Sequence, residues 1–407
     1  MQILQAKFQL QIFLTMITSP KLLPVHKRLD LNFVKGQGVY LFDDKNNKYL
    51  DFSSGIAVNA LGHCHPKMVE AITNQSNKLW HVSNIFITNE LNFYAEKLVT
   101  SSKIFDHVFF CNSGAEAIEC AIKIIRRFFY VKNQKKYRII TFKGAFHGRT
   151  IATISASAKK KYLEGFEPAL QGFDNVEFGD IEAVKKAITP ETAGILIEPI
   201  QGEEGIRVSD KKFIQQLRKI CDEHELLLAF DEVQCGMGRT GHLFAYDFYE
   251  TKPDIISTAK GIGGGFPLGA CLATKNASQG MTYGVHGTTY GGNPLAMAVA
   301  NAVLDVILGD NFLGDVKING EFFKKELINL QNKFSNIISE VRGVGFMLGI
   351  KINESIEHAV IVKKFIDNKL LTVPASDNVI RILPPLISTK KDILEALDKI
   401  QQSLHEI

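Results

Sequence analysis

The stretch Asp254-Ile-Ile-Ser-Thr-Ala-Lys260-Gly-Ile-Gly-Gly-Gly-Phe-Pro-Leu-Gly-Ala270 sets one lysine between a short apolar run and a cluster of glycines. A lysine on a solvated face is a strongly hydrated ammonium. Held among small and apolar residues it loses that solvation, gives up its proton more readily and can act as an amine nucleophile or base. Taken alone, the stretch fits a glycine-flanked surface loop equally well. Two other runs, Gly194-Ile-Leu-Ile-Glu198 and Leu226-Leu-Leu-Ala-Phe-Asp231-Glu232, are continuously apolar and end in acids. That is the expected appearance of the carboxyl end of a buried parallel strand.

Three more segments carry polar groups in chemically useful settings. At Val108-Phe-Phe-Cys-Asn-Ser113-Gly114-Ala115 a strand gives way to a helix with Ser113 near its N-cap. Ile118, Ala121, Ile122, Ile125 and Phe129 form the buried stripe of that helix. Its first turn exposes free backbone N–H groups and a hydroxyl, a seat suited to phosphate, although such junctions also occur with a purely structural role. Gly144-Ala-Phe146-His-Gly-Arg149-Thr150 places an aromatic pair and an arginine in a glycine-bounded loop. Such a loop could stack a planar ring and hold a carboxylate with a fork of donors. Arg381 interrupts the apolar strand Val379-Ile-Arg-Ile-Leu383, which fits either a salt bridge to a structural acid or a ligand carboxylate.

The elements that must position these groups follow from periodicity. Val39 to Asp43 and Lys48 to Phe52 read as a hairpin, Pro66 opens a helical pattern through Leu79, and Trp80-His-Val-Ser83-Asn84 breaks it in a polar turn. Lys211 to Glu225 has helical spacing with Phe213, Leu217 and Ile220 on one face. Alternation of strand and helix from about residue 106 to 270 predicts an open parallel sheet with helices on both faces, whose ligands collect at the carboxyl ends of the strands. The acids, the aromatic loop, the phosphate seat and Lys260 would then converge. A long helix is predicted from about Leu295, followed by strands at Val344 to Ile352 and Val379 to Leu383 and a last helix that Thr389 could cap. The whole is an α/β chain with a large, mostly parallel sheet domain and a smaller α+β domain.

The totals narrow the classes. A length of 407 residues exceeds one ordinary core, and 45% hydrophobic with 22% charged residues suits a soluble enzyme. The formal charge of +4 and short basic clusters such as Lys159-Lys-Lys161 form no extended stripe, so no nucleic-acid partner is expected. Six cysteines without paired short spacing point to reduced thiols and a cytoplasmic setting. No metal is expected: His63-Cys64-His65 are adjacent, cannot all face one ion, and have no second cluster. No membrane span is expected either. Residues 1 to 17 lack a run of about 20 apolar residues and a clear signal-peptide pattern, and Met16 is an alternative start.

Taken together these segments resemble the class III, fold-type I pyridoxal-phosphate aminotransferases, and most closely the acetylornithine aminotransferases. The matching motifs are Asn112-Ser-Gly-Ala-Glu-Ala117, Phe146-His-Gly-Arg-Thr150, Glu198-Pro-Ile-Gln-Gly-Glu203, Asp231-Glu-Val-Gln234, Ala259-Lys-Gly261 and His286-Gly-Thr-Thr-Tyr-Gly-Gly-Asn-Pro294, over about residue 20 to the C-terminus. The resemblance implies pyridoxal 5'-phosphate as cofactor, with Lys260 the Schiff-base lysine and Asp231 the partner of the pyridine nitrogen. It implies Ser113, Gly114 and Ala115 at the phosphate, Phe146 and Val233 on the two ring faces, and Glu232 and Gln234 completing the cofactor site. Thr289 would reach the phosphate of the neighbouring subunit, making the enzyme a homodimer with shared active sites. Arg149, Arg381, Glu203, Thr288, Ser83 and Asn84 would form the substrate side, with Glu203 masking an arginine in one half-reaction. Val82 departs from the threonine expected in the Trp-His-Thr-Ser-Asn stretch.

The implied reaction moves the δ-amino group of N2-acetylornithine to 2-oxoglutarate, giving N-acetylglutamate 5-semialdehyde and glutamate, as in arginine biosynthesis. Ornithine, N-succinylornithine, N-succinyl-diaminopimelate and 4-aminobutyrate remain alternative amines, and a catalytically silent cofactor-binding protein is the alternative of another class. The implied division is a tail at 1–19, a segment at 20–65 packing with the small domain, a cofactor domain at 66–295 and a small domain at 296–407.

Overall fold

The computed structural model describes residues 21–407. The tail expected at 1–19 lies outside the described residues. The first strands of the described residues form an antiparallel meander, β1 (Phe33–Gln37), β2 (Tyr40–Asp43) and β3 (Lys48–Asp51). Asp43 closes the β2–β3 turn by accepting from the N–H groups of Lys45 and Asn47. This meander contains the expected hairpin, with β1 added outside it. β3 pairs in parallel with Leu370–Leu371, far along the chain.

The central sheet has seven strands: β4 (His107–Cys111), β5 (Arg138–Phe142), β6 (Phe173–Val176), β7 (Thr192–Ile197), and, after the short ribbon β8 (Ile200–Gln201) and β9 (Arg207–Val208), β10 (Leu227–Asp231), β11 (Ile255–Thr258) and β12 (Gly269–Ala273). Their order is β4-β12-β11-β10-β7-β5-β6. β12 runs antiparallel to both neighbours, whereas β11, β10, β7, β5 and β6 pair in parallel. The sequence pattern predicted a parallel sheet. The exception arises because residues 259–268, which carry Lys260, form a short turn and contain no crossover helix that could return the chain to the same edge.

Both faces of the sheet are covered. On one lies the helix Gly114–Tyr130, which buries Ile118, Ala121, Ile122 and Ile125 against Leu196, Ala229 and Ile255. On the other, Ile214 and Leu217 of Lys211–Glu223 and Ala300 and Val303 of Pro294–Ile307 pack with Ile195, Leu228 and Ile256. Full burial on both sides explains why these strands read as uninterrupted apolar runs.

The C-terminal sheet comprises β13 (Ile338–Val344), β14 (Met347–Ile352), β16 (Val373–Ala375) and β17 (Val379–Ile382), with β15 (Leu370–Leu371) feeding the N-terminal sheet. The strand expected at Val344 to Ile352 is thus the second arm of a hairpin. Gly345, at φ +57°, makes the turn that the apolar pattern concealed. Thr389 and Asp392 form a capping box on Lys390–His405. Val39, Leu50 and Phe52 of the meander share one core with Phe323, Leu348, Ile380, Ile393 and Leu397. Arg239, 2% exposed, fastens this unit to the large one by donating to the carbonyls of Phe346 and Pro384. Among the described residues no single helix is long and apolar enough to cross a membrane.

One backbone approach ties the sheet to the helix start. A Cβ added to Gly269 in β12 would lie 2.4 Å from the carbonyl oxygen of Ser113. Gly269→Ala is therefore expected to destabilise the protein by roughly 1–3 kcal/mol through forced backbone displacement, read as a lowered denaturation midpoint.

Candidate active site

The carboxyl ends of the parallel strands open on a cavity of about 310 Å³. Ser113, Gly114, Ala115, Phe146, Asp231, Val233, Gln234 and Lys260, all expected near one ligand, line it together. Each arrives for a local reason. Ser113 is the N-cap of Gly114–Tyr130, its hydroxyl accepting from the N–H of Glu116, while the Glu116 carboxylate reaches back to the N–H of Asn112. The N–H groups of Gly114 and Ala115, in the first turn, have no intrahelical acceptor and give the cavity a positive rim. A Cβ on Gly114 would fall 2.7 Å from Cγ1 of Val233, so glycine lets the turn close onto that side chain.

Lys260 follows β11 in a left-handed conformation, φ +48°, at the start of a 3-10 turn. For a residue with a Cβ that geometry costs roughly 1–2 kcal/mol. It turns the side chain off the strand and into the cavity. Burial is the main force that lowers the pKa of the amine, to about 8, and the Arg381 charge adds to it; Asp231 and Glu203 pull the other way, as Glu198 does when ionised. A pKa near 8 leaves the amine able both to bind and to release a proton near neutral pH.

Asp231, 3% exposed, ends β10. One carboxylate oxygen is 2.8 Å from Nδ1 of His147 and the other accepts from the N–H of Val233 at 3.0 Å. His147 is 2% exposed and its Nε2 has no partner among the described residues. Gln234 Oε1 is likewise buried and unpartnered, and its amide lies over Gly202, where a Cβ would meet Oε1 at 2.3 Å. Glu198 also faces the cavity and accepts from the N–H of Phe146 at 2.8 Å. His147 and Glu198 were expected near the site only as part of the aromatic loop and as an acid at a strand end; the sequence assigned neither an individual role.

The other wall is set by a backbone feature invisible in the sequence. Ser54, Gly55, Ile56 and Ala57 all have positive φ, between 46° and 64°. Asp51 holds this left-handed turn by accepting from Ser53 and Ser54, and the Ser54 hydroxyl donates to the carbonyl of Leu383. The turn delivers Val58 to the cavity.

Arg381, 2% exposed in β17, pairs with Glu203 at 2.9 Å and donates to the carbonyl of Pro374. Burial pulls its pKa down from the usual guanidinium value while Glu203 opposes that shift. Its Nε and Nη1 are buried and have no partner among the described residues. Arg149 is exposed, lies over the rings of Tyr162 at 3.8 Å and Phe146 at 5.2 Å, and has no carboxylate partner among the described residues. Thr288 accepts from the N–H of Gly291, and Asn84 donates to the carbonyls of Thr288 and Gly291. Ser83, Asn84 and Thr289 are exposed and do not line the cavity of their own chain.

Glu232 requires a correction. It is fully buried, and its carboxylate accepts from the N–H groups of Ala245 and Tyr246, holding the start of the helix Ala245–Tyr249. Burial raises its pKa to about 8 despite those donors. Alternation along the chain turns Asp231 and Glu232 to opposite sides, so only Asp231 meets the cavity.

A half-buried amine, a buried carboxylate–imidazole pair and a helix N-terminus, assembled at the carboxyl edge of a mostly parallel sheet, define a lysine-centred enzyme of the α/β class. The aminotransferase class-III family profile matches residues 24–404, and the chain belongs to that family. It is 56% identical over 375 residues to the acetylornithine aminotransferase of Agrobacterium fabrum, covering 92% of this chain and 93% of that one. Among solved structures, the N-acetylornithine aminotransferase of Stenotrophomonas maltophilia aligns with a TM-score of 0.82 at 33% identity, covering 97% and 98% of the two chains. The ornithine aminotransferase of Toxoplasma gondii, with PLP partially occupying its active site, aligns with a TM-score of 0.92 at 28% identity, covering 98% of each.

The lowered pKa of Lys260 is directly measurable. Amine-selective labelling of the apoprotein, followed by peptide mass analysis, should show half-maximal reactivity of Lys260 near pH 8. Exposed lysines should reach it near their reference value of about 10.4. A Lys260 midpoint near 10 would contradict the enclosure described above.

Proposed function

We propose that this chain is a pyridoxal 5'-phosphate-dependent acetylornithine aminotransferase, moving the δ-amino group of N2-acetylornithine to 2-oxoglutarate. The observation that carries the reading is the single cavity in which Lys260, Asp231 and the Ser113–Ala115 turn meet. The unpartnered buried nitrogens of Arg381 fit an anionic occupant, and Gln234 Oε1 and His147 Nε2 fit polar partners on it, because buried polar atoms are otherwise nearly always paired. The identity to curated acetylornithine aminotransferases supports the acylated amine over free ornithine.

The cofactor, when bound, supplies a conjugated ring that takes up the electron pair left as a proton departs from the substrate carbon. The chain supplies the rest. Ser113, Gly114 and Ala115 would hold the phosphate at the helix N-terminus. Phe146 and Val233 would flank the ring, Gln234 would approach its phenolic oxygen, and Asp231, oriented by His147, would keep a negative charge opposite the pyridine nitrogen. Lys260 Nζ, released once substrate is bound, would take the proton and return it at the product carbon. Arg149 would hold the carboxylate of the acylated amine. Arg381 would receive the keto acid's carboxylate after Glu203 gives way, which lets one pocket serve two substrates.

A homodimer completes this reading. Leu79, Trp80, Ile85, Phe86, Ile87 and Phe93 are exposed, with Tyr283 and Tyr290 on the segment that His81 and Asn84 contact. Contiguous exposed apolar surface of this kind suits a subunit interface. Thr289, in the same segment, would then serve the partner's phosphate site, with Thr288, Ser83 and Asn84 shaping the adjoining substrate entrance. All six cysteines are free thiols, in keeping with a cytoplasmic setting.

The primary test follows the visible cofactor band of purified protein as N2-acetylornithine or ornithine is added without keto acid. Bleaching at lower concentrations of N2-acetylornithine is expected. Preference for ornithine would make the protein an ornithine aminotransferase, and no band after reconstitution would remove the enzyme assignment. Lys260→Ala should lower turnover by roughly 10²–10⁴-fold, the usual contribution of a positioned acid–base group.

The two arginines should separate kinetically. Arg381→Ala should raise KM for 2-oxoglutarate by about 10- to 100-fold, as expected for losing a charged hydrogen bond, and raise KM for the amine far less, any change there being a rate effect through the proton affinity of Lys260. Arg149→Ala should do the reverse. Equal effects of both substitutions on both half-reactions would argue against separate carboxylate sites.

A further inference from the structure

Glu198 is a cavity-lining carboxyl group to which the chemistry above gives no task. It stands just past the end of β7, beside β10, so its side chain and that of Asp231 enter one cavity from neighbouring strands. Two carboxyl groups in one poorly solvated site do not ionise independently; the first to lose its proton holds the second in its neutral form. Hydrogen-bond geometry selects which is which. Both oxygens of Asp231 are occupied, one against the His147 ring and one by the N–H of Val233. Glu198 has a single donor, the N–H of Phe146 on Oε2, and no donor among the described residues meets Oε1.

The charged groups around Glu198 act in both directions: Asp231 favours the neutral form, while Lys260 and Lys159 oppose it, and burial outweighs them. Asp231 approaches from β10 and the buried thiol of Cys235 from the turn after it, neither favouring a negative charge. Lys159, from the segment after the helix Ile151–Ser157, is 2.5 Å from Glu204 and so is already paired. Arg381, from β17, is 2.9 Å from Glu203. Lys260 is the remaining cation, and its own proton is weakly held. Burial, reinforced by Asp231, raises the pKa of Glu198 well above the usual carboxylate range.

We propose that Glu198 stands in the cavity as a neutral carboxylic acid, Oε2 anchoring the backbone of Phe146 and Oε1–H donating a hydrogen bond to the cofactor, with Asp231 the ionised partner. The donor half of this proposal rests on the reading of the cavity as a pyridoxal 5'-phosphate site; the protonation half does not. Neutrality matters for Lys260 because an ionised Glu198 would attract a proton onto the amine and raise its pKa. Glu198 is thus a positioning residue for Phe146 and a guard on the proton affinity of the lysine.

The test compares the apoprotein forms of wild type, E198Q and E198D by thermal unfolding between pH 5 and 9. In the folded state Glu198 keeps its proton above the pH at which the unfolded chain releases it. Wild type therefore loses stability as pH rises from the ordinary Glu value of about 4.3 through the raised folded value. E198Q has no such proton. Its midpoint should match wild type near pH 5 and exceed it increasingly, by roughly 3–6 °C at pH 8, while E198D should keep the wild-type slope. An E198Q midpoint parallel to wild type or falling below it at pH 8, or an E198D curve without the slope, would overturn the protonation assignment.

The donor role is read by titrating each apoprotein with pyridoxal 5'-phosphate. E198Q, which keeps an N–H donor, should stay within about threefold of wild type, and E198A should weaken binding about tenfold or more. Equal weakening in both would overturn the donor role. Because unfolding of the apoprotein involves neither cofactor nor amine, failure of the transaminase reading and failure of the protonation assignment are separately visible.

Discussion

An amine enclosed by protein loses hydration that an ammonium needs, and the rest of this structure is arranged around that loss at Lys260. Burial lowers its proton affinity and the guanidinium of Arg381 lowers it further, while Asp231 and Glu203 restrain the fall, as an ionised Glu198 would. The result, near 8, lies where a single group can serve as base and then as acid. No one of these neighbours is local in sequence. The sheet brings Asp231 and Glu198 from adjacent strands, and the C-terminal unit brings Arg381 from β17.

The same constraint explains why the two units must be held firmly together. Glu203 belongs to the large unit and Arg381 to the small one, so their 2.9 Å contact depends on the register between them. Arg239 secures that register by spending a buried guanidinium on two carbonyls across the boundary, and Gly345 permits the close approach, since a Cβ there would lie 2.5 Å from the Arg239 carbonyl. The N-terminal meander joins through β3 and β15 and shares its core with the C-terminal helices. Its left-handed turn then carries Val58 to the cavity, with strain in several residues offset by the Asp51 and Ser54 hydrogen bonds.

Much of this was legible in the chain because the physics is local. Uninterrupted apolar runs ending in acids marked β7 and β10, since strands covered on both faces have no polar side to show. The Ser113 and Thr389 caps followed from side-chain chemistry acting within three residues. The reversed direction of β12 was hidden, because strand direction depends on how the connection returns and not on composition. Gly345 was hidden as well: a glycine inside an apolar stretch looks like strand until its partner strand is known.

At the site, the residue types and their order alone determined the chemistry available: one lysine among glycines, acids at strand ends, a serine-capped helix, and two arginines set apart. Motif order along the chain was enough to indicate the family. Only the tertiary structure decided which groups act together. Asp231 and Glu232 are adjacent and chemically alike, yet one faces the cavity and the other holds a helix start, because neighbouring side chains leave the backbone in opposite directions. His147 and Glu198 entered the site for the complementary reason. Their roles depend on partners 84 and 52 residues away, Asp231 and Phe146, and separations of that kind close only when the sheet forms.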